Sequence, residues 1–215
     1  MARISYKEQA LKLRENAILD VVNRFLGERG YDAMTVDAIA AEVGVAKASL
    51  YKHFDSKESL AAAAMIRLLD RALVAVAALP ATMPADEQLR ATLRWALTIR
   101  LEGGLPLLPS VSPMLRASLL ANADYLGPLL ALNERLMALV ERARADGTID
   151  DGLPSDVSLF TIYASTCNPS VDYLRMTGNY TDSEIIEFTI ATCFGGLVGQ
   201  KAGSAPESQR PDRHG

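Results

Sequence analysis

The chain has 215 residues, 49% of them hydrophobic, with a net charge of −4, two cysteines and two histidines. That much apolar material can bury a sizeable core in one or two domains, and the composition is that of a soluble globular protein. The longest run without a charged residue, the 15 residues from Val157 to Val171, falls short of the ~18 that would suggest a membrane span.

Arg3, Lys7, Glu8, Lys12 and Arg14 interrupt any apolar stretch at the N-terminus, so no signal peptide is expected and the cytoplasm is the default compartment. An acidic total argues against indiscriminate nucleic-acid binding by the whole surface. The distribution is uneven, however: residues 1–14 carry a net +3 and residues 44–57 a net +2. Positive charge suited to phosphate contact is therefore local, on an N-terminal arm and on one internal segment.

The first long helix is expected from about Leu11 to Arg29, with Ile18, Val22 and Phe25 on one stripe and Val21 and Leu26 beside it. Gly27 weakens its last turns and Gly30 ends it. Tyr31 is expected to pack over the end of a small core, with its phenol also within reach of a DNA backbone.

Thr35 to Val43 reads as a second helix with Thr35 as N-cap and an apolar face of Val36, Ile39, Ala40 and Val43. Gly44 turns the chain and Val45 plugs the angle. The next helix, about Ala46 to Phe54, turns Leu50 and Phe54 inward and leaves Lys47, Ser49, Tyr51, Lys52 and His53 on other faces. This is the layout of a helix-turn-helix, which places its second helix in the DNA major groove. Lys47 and Lys52 supply charge, Ser49 can pair with a base edge, and Tyr51 and His53 can bond phosphate oxygens. Asp55 to Glu58 has the spacing of a capping box, so a third helix is expected near Ser56, with its positive dipole end and Lys57 facing a phosphate.

These residues resemble the DNA-binding domain of the tetracycline-repressor (TetR) family of transcriptional regulators. The resemblance rests on Ala17, Ile18, Leu19 and Phe25 of the first helix, Gly30-Tyr31, Thr35, Ile39-Ala40 and Val43-Gly44-Val45. It continues through Leu50-Tyr51-Lys52-His53-Phe54 and Ser56 to Leu60. It implies an all-α homodimer that binds a palindromic double-stranded DNA operator, most often as a repressor. It also implies a larger C-terminal domain that binds a small-molecule effector and carries the dimer contact. The expected DNA-binding residues are Thr35, Lys47, Ala48, Ser49, Tyr51, Lys52, His53 and Lys57.

Beyond Ser56 the third helix runs to about Ala78, some 30 Å at 1.5 Å per residue, long enough to serve both domains as a lever. Pro80 and Pro84 end it. Asp86 to Glu102 reads as another helix with Leu89, Leu93, Leu97 and Leu101 as its stripe, widened by Thr92, Trp95 and Ile99. A loop follows whose Leu105, Leu107 and Leu108 either tuck onto the core or guard an opening to it. A short helix from Pro113 to Ala121 leads to a long one from about Asp124 to Asp146.

From Pro154 to about Thr177 comes a helix apolar on nearly every side, which Pro169 should kink or interrupt. Another such helix covers Ser183 to Leu197. Two helices of this kind are best buried by the protomer and a second copy together, which independently favours a homodimer; a monomer with both helices central in its core is the alternative. Lys201 to Gly215 are polar and expected to be disordered. The expected domains are 1–57 (helix-turn-helix with basic arm) and 58–199 (ligand binding and dimerisation), with a tail at 200–215.

Enzyme chemistry is tested by inventory. One histidine, His53, falls in the recognition helix and the other, His214, in the tail, so a Ser-His-Asp triad or a His-based zinc site has none to use. No phosphate-cradling glycine loop or nucleophile elbow occurs. Neither catalysis, a metal nor a cofactor is expected. Cys167 and Cys193 lie in apolar stretches and read as buried free thiols, with a redox-sensing pair as the alternative.

A mainly apolar binding pocket is expected instead. Its candidate lining is Met65, Leu69, Trp95, Ile99, Tyr125, Leu129, Asn133, Tyr163, Cys167, Asn168 and Asp172, with Phe160, Thr166 and Tyr173 nearby. The competing classes are an enzyme on a helical scaffold and a DNA-binding or interaction protein that takes no ligand.

Overall fold

Helix-favouring sequence begins at Tyr6, because Tyr6 to Ala10 contains no proline, glycine or β-branched residue. The first helix, α1 (Tyr6–Glu28), accordingly starts five residues before the expected Leu11. The structure, a computed structural model, describes residues 6–104 and 112–197. The expectations for Arg3, for the leucines at 105, 107 and 108, and for the tail fall outside them.

Eleven helices and no strand occur among the described residues. After α1 come α2 (Gly30–Ala33), α3 (Val36–Val43), α4 (Lys47–Tyr51) and α5 (Lys57–Ala77). Then follow α6 (Ala85–Leu101), α7 (Pro113–Leu120), α8 (Ala123–Ala145), α9 (Ser155–Thr166), α10 (Ser170–Thr177) and α11 (Asp182–Gly195). The architecture is all-α, as expected.

Three local differences have physical causes. The recognition helix stops at Tyr51 rather than Phe54, because the N–H groups of His53 and Phe54 both turn back to the Leu50 carbonyl, at 3.0 and 2.9 Å, and tighten its end. The capping box of α5 is formed one position later than Asp55 to Glu58. Ser56 accepts from the Ser59 amide and Ser59 Oγ accepts from the Ser56 amide, both at 3.0 Å. The expected single helix from Pro154 to Thr177 is two helices, because α9 closes with the Cys167 amide donating to Ala164 and Pro169 then opens α10.

The helices build two apolar cores. The smaller packs α1 to α4 around Phe25, Met34, Ile39 and Leu50, all nearly inaccessible, against Leu60 to Met65 of α5. It also takes in Leu115 and Leu119 of α7 and Tyr125 of α8, well beyond residue 57. The larger core joins the second half of α5 to α6, α8, α9, α10 and α11 through Leu93, Leu97, Val140, Leu159, Ile185 and Phe194. The 21 residues of α5 therefore run through both, over about 30 Å. Polar ties lock the larger unit: Arg94 meets both Glu187 oxygens, at 2.7 and 2.8 Å, joining α6 to α11. Arg144 at the end of α8 donates to Ser155 at the start of α9 at 2.7 Å.

Candidate nucleic-acid interface and internal cavity

Thr35 stands in extended backbone and its Oγ1 accepts from the Ala38 amide at 3.2 Å, starting α3. Gly44 ends that helix at φ 72°, a conformation that a side chain would strain. The Val45 amide reaches back to the Ala40 carbonyl at 2.9 Å. With Leu50 and Phe54 buried below, α4 is anchored from one side. Lys47, Ala48, Tyr51, Lys52 and His53 remain exposed around it and Ser49 is half-buried.

Of the eight residues expected to meet DNA, four lie in α4 and two, Lys52 and His53, in the turn that follows it. Thr35 caps α3 and Lys57 opens α5. Lys47 Nζ lies 2.8 Å from Asp37 Oδ2, so the carboxylate that raises the lysine pKa also binds the start of α3 to the recognition helix. Lys57 does not project freely. Its ammonium sits 4.3 Å above the Tyr31 ring and 3.4 Å from the Asp32 carbonyl.

Tyr31 itself is buried, and its hydroxyl donates to Glu58 at 2.6 Å. Burial first, then this bond, pushes the phenol pKa up, while the same bond holds the Glu58 carboxyl below the usual glutamate value. The expectation that Tyr31 packs is met, and the phenol is already engaged. Two cross-links had no signal in the spacing: Arg24 to Glu42, tying α1 to α3, and Arg67 to Asp20 and the Asn16 carbonyl, tying α5 to α1.

Between α5, α6, α8 and α9 lies a cavity of about 550 Å³. From the expected lining it collects Met65 and Leu69 of α5, Trp95 of α6, Tyr125, Leu129 and Asn133 of α8, and Tyr163 and Cys167 at the end of α9. Phe160 and Thr166 join them.

Ile99, Asn168, Asp172 and Tyr173 do not line it. Ile99 is buried beneath the turn at Gly104, because the cavity face of α6 is set by Thr92, Leu93, Trp95 and Ala96. Asn168 is used locally, accepting from the Ser170 amide at 3.0 Å. Asp172 is drawn away by Arg100, 2.6 Å distant, and Tyr173 is exposed. The residues that sequence reasoning missed, Leu68, Ala72, Leu132, Leu136, Ile162 and Ala164 among them, read as ordinary core from their spacing.

Among the described residues no acidic, basic or histidine side chain lines the cavity. Tyr163 donates its hydroxyl to Asn133 Oδ1 at 2.6 Å, and burial lifts its pKa to about 12. The Thr166 hydroxyl is spent on the Tyr163 carbonyl at 2.7 Å. Both thiols are unpaired, Cys193 buried and Cys167 half-buried against the cavity. Among the described residues no cluster of three metal-binding side chains occurs, and no helix is long and apolar enough to cross a membrane.

The cavity and the helix-turn-helix share material. Met65 and Tyr125 line the one and belong to the core of the other. A polar contact runs alongside: Ser112, the N-cap of α7, donates to Asp32 of α2 at 3.1 Å.

Residues 18–64 match the family model for bacterial regulatory proteins of the tetR family. Over 46 residues, 21% of this chain, it is 48% identical to the biofilm operon icaADBC HTH-type negative transcriptional regulator IcaR of Staphylococcus aureus. The match spans about a quarter of the length of that curated relative, 25%. The whole described fold has counterparts among solved structures. The ketosteroid transcriptional regulator KstR2 of Mycobacterium tuberculosis is 20% identical with a TM-score of 0.65, covering 87% of this chain and 96% of the other. Transcriptional regulator FadR of Bacillus subtilis, solved in complex with stearoyl-CoA, is 18% identical with a TM-score of 0.60, covering 85% and 98%. The matched segment coincides with the helix-turn-helix, so residues 18–64 carry the DNA-binding segment of the bacterial regulatory proteins of the tetR family, and the remaining helices share the fold of these solved structures.

Proposed function

We propose that the protein is a transcriptional repressor that binds a palindromic operator as a homodimer and is released by a mainly apolar small molecule held in the cavity. The observation that carries this reading is the double membership of Met65 and Tyr125, which wall the cavity and pack in the core beneath the recognition helix. A ligand that moves either side chain displaces part of the platform on which α4 stands. One state sets the two recognition helices about 34 Å apart, one turn of duplex, and the ligand prefers the other.

DNA contact falls to α4 and its flanks: Thr35, Lys47, Ala48, Ser49, Tyr51, Lys52, His53 and Lys57. A phosphate oxygen competes with Asp37 for Lys47 and with the Tyr31 ring for Lys57. The dimer contact falls to α9 and α11, where Phe160 and Phe188 stand 63% and 46% exposed on helices that are apolar on most sides. Repression is favoured by the likeness of the helix-turn-helix to that of IcaR, a negative regulator by name. The apolar lining favours an apolar ligand, and FadR of B. subtilis was solved with stearoyl-CoA on the same fold.

The test is selection of bound duplexes from a random DNA pool by the purified protein at two salt concentrations. A palindromic winner whose retention falls steeply with salt is the expected result. Recovery of no preferred sequence, before and after denaturing and refolding to remove any copurified ligand, would overturn the reading in favour of a helical interaction module.

A further inference from the structure

The polar groups of the cavity are few enough to be followed one by one. Thr166 is spent on the Tyr163 carbonyl, and Tyr163 is spent on Asn133. Two donors remain. The Asn133 amide nitrogen has no partner among the described residues, and reversing the amide would only free the Tyr163 hydroxyl in its place. The Tyr125 hydroxyl has none either, although the residue is only 6% exposed and lines the cavity. Burial raises the Tyr125 pKa, so the group stays a neutral phenol with a proton to give. Water can meet these donors while the cavity is empty, so a ligand that displaces it keeps its affinity only if it brings an acceptor in its place.

The two on α8, Tyr125 and Asn133, are eight positions apart, which is about 12 Å of helix rise. Aliphatic and aromatic surface from Leu69, Trp95, Leu129 and Leu132 lies in the same cavity. Among the described residues nothing charged lines the cavity to meet a carboxylate or an ammonium, and burying either unpaired is strongly unfavourable.

We infer that the cavity takes an elongated, uncharged molecule with an apolar body and a hydrogen-bond acceptor, a ketone, ester or ether oxygen, at each end. One oxygen is read by Tyr125 and the other by the pair Asn133 and Tyr163. The inference rests on the ligand-released regulator proposed above, and it narrows that ligand to a neutral, two-ended class.

The test uses four probes on the full chain: dodecane, its monoketone with the carbonyl next to one terminal methyl, the matching diketone, and dodecanedioate. Binding is read by the fluorescence of Trp95, the chain's single tryptophan and a lining residue. The diketone is expected to bind about tenfold tighter than dodecane, with the monoketone between them. The dicarboxylate should bind at least about tenfold more weakly than the diketone at neutral pH. Tyr125→Phe should reduce the diketone to the affinity of the monoketone.

Equal or tighter binding of the dicarboxylate would overturn the assignment. So would a diketone no better than dodecane, or no response of Trp95 to any probe. These outcomes concern the unaltered protein and do not depend on the variant folding. Retention on the selected operator is measured separately. A diketone that binds but leaves DNA held would sink release by ligand and spare the ligand class. Release by the dicarboxylate alone would do the reverse.

Discussion

At the DNA-binding end, helices of four, eight and five residues are held by side chains that cap them or cross between them: Thr35, Ser56 with Ser59, Lys47 to Asp37, Arg24 to Glu42, Tyr31 to Glu58. At the cavity end, helices such as α8, with 23 residues, and α9, with 12, are held mainly by aliphatic contact around an opening that none of them contains alone. The first region is specified by chemistry local to each turn, the second by what lies opposite. Between them α7 and α8 supply Leu115, Leu119 and Tyr125 to the smaller core, so the contrast is not a separation.

The largest effect is expected where the two regions interlock. Leu119→Ala, at a side chain 1% exposed, should lower stability by about 3 kcal/mol in urea unfolding and weaken operator binding as well. A change confined to the cavity end would show that α7 serves only the larger core. Gly44→Ala places a Cβ in open space but at φ 72°, so its cost is backbone strain alone, about 1–2 kcal/mol. Loss of DNA binding in that variant with an unchanged response of Trp95 to ligand would sharpen the contrast between local and long-range specification.

Tyr31→Phe should cost about 1 kcal/mol near neutral pH by removing the donor to Glu58. Because the bond depresses the Glu58 pKa in the folded state, its contribution is present above the ordinary value of 4.5 and is lost as pH falls through the folded value. The Tm difference between wild type and variant should therefore shrink under acid; a pH-independent difference would assign the effect to packing. The smallest changes are expected from Tyr51→Phe and Lys57→Ala, which should weaken operator binding without changing the preferred sequence. The lysine variant should also lower the salt slope by about 1. A changed sequence preference in either would place that residue on a base instead of a phosphate.

How much could be read in advance follows the same division. Thr35 as a cap, Gly44 as the turn, and Leu50 and Phe54 as the buried side of the recognition helix were legible, because each depends on residues within one or two turns. The capping box was displaced by one because Ser56 and Ser59 satisfy each other, freeing Glu58 for a tyrosine 27 positions away that no spacing announces. At the cavity, Pro169 announced the break between α9 and α10, and the aromatic and amide residues of α8 and α9 stood out against leucine.

Ile99 and Asp172 were misplaced for a shared reason. Which face of a helix meets an opening is decided by its neighbours, here the turn at Gly104 and the guanidinium of Arg100. Leu68, Leu132 and Leu136 could not be told from core because a cavity wall is core with a neighbour missing.

The insertion of α7 also bears on how such regulators diversify. The stretch that matches the family model ends at residue 64, and the helix supplying Leu115 and Leu119 to the floor of the reading head begins at Pro113. A recombination joint drawn at the edge of the matched segment would leave the transplanted head with an open seam where those leucines and Tyr125 had been. For this protein, a graft that works must carry α7 and the first turn of α8 along with the head, so the unit of exchange is discontinuous in the chain although contiguous in space.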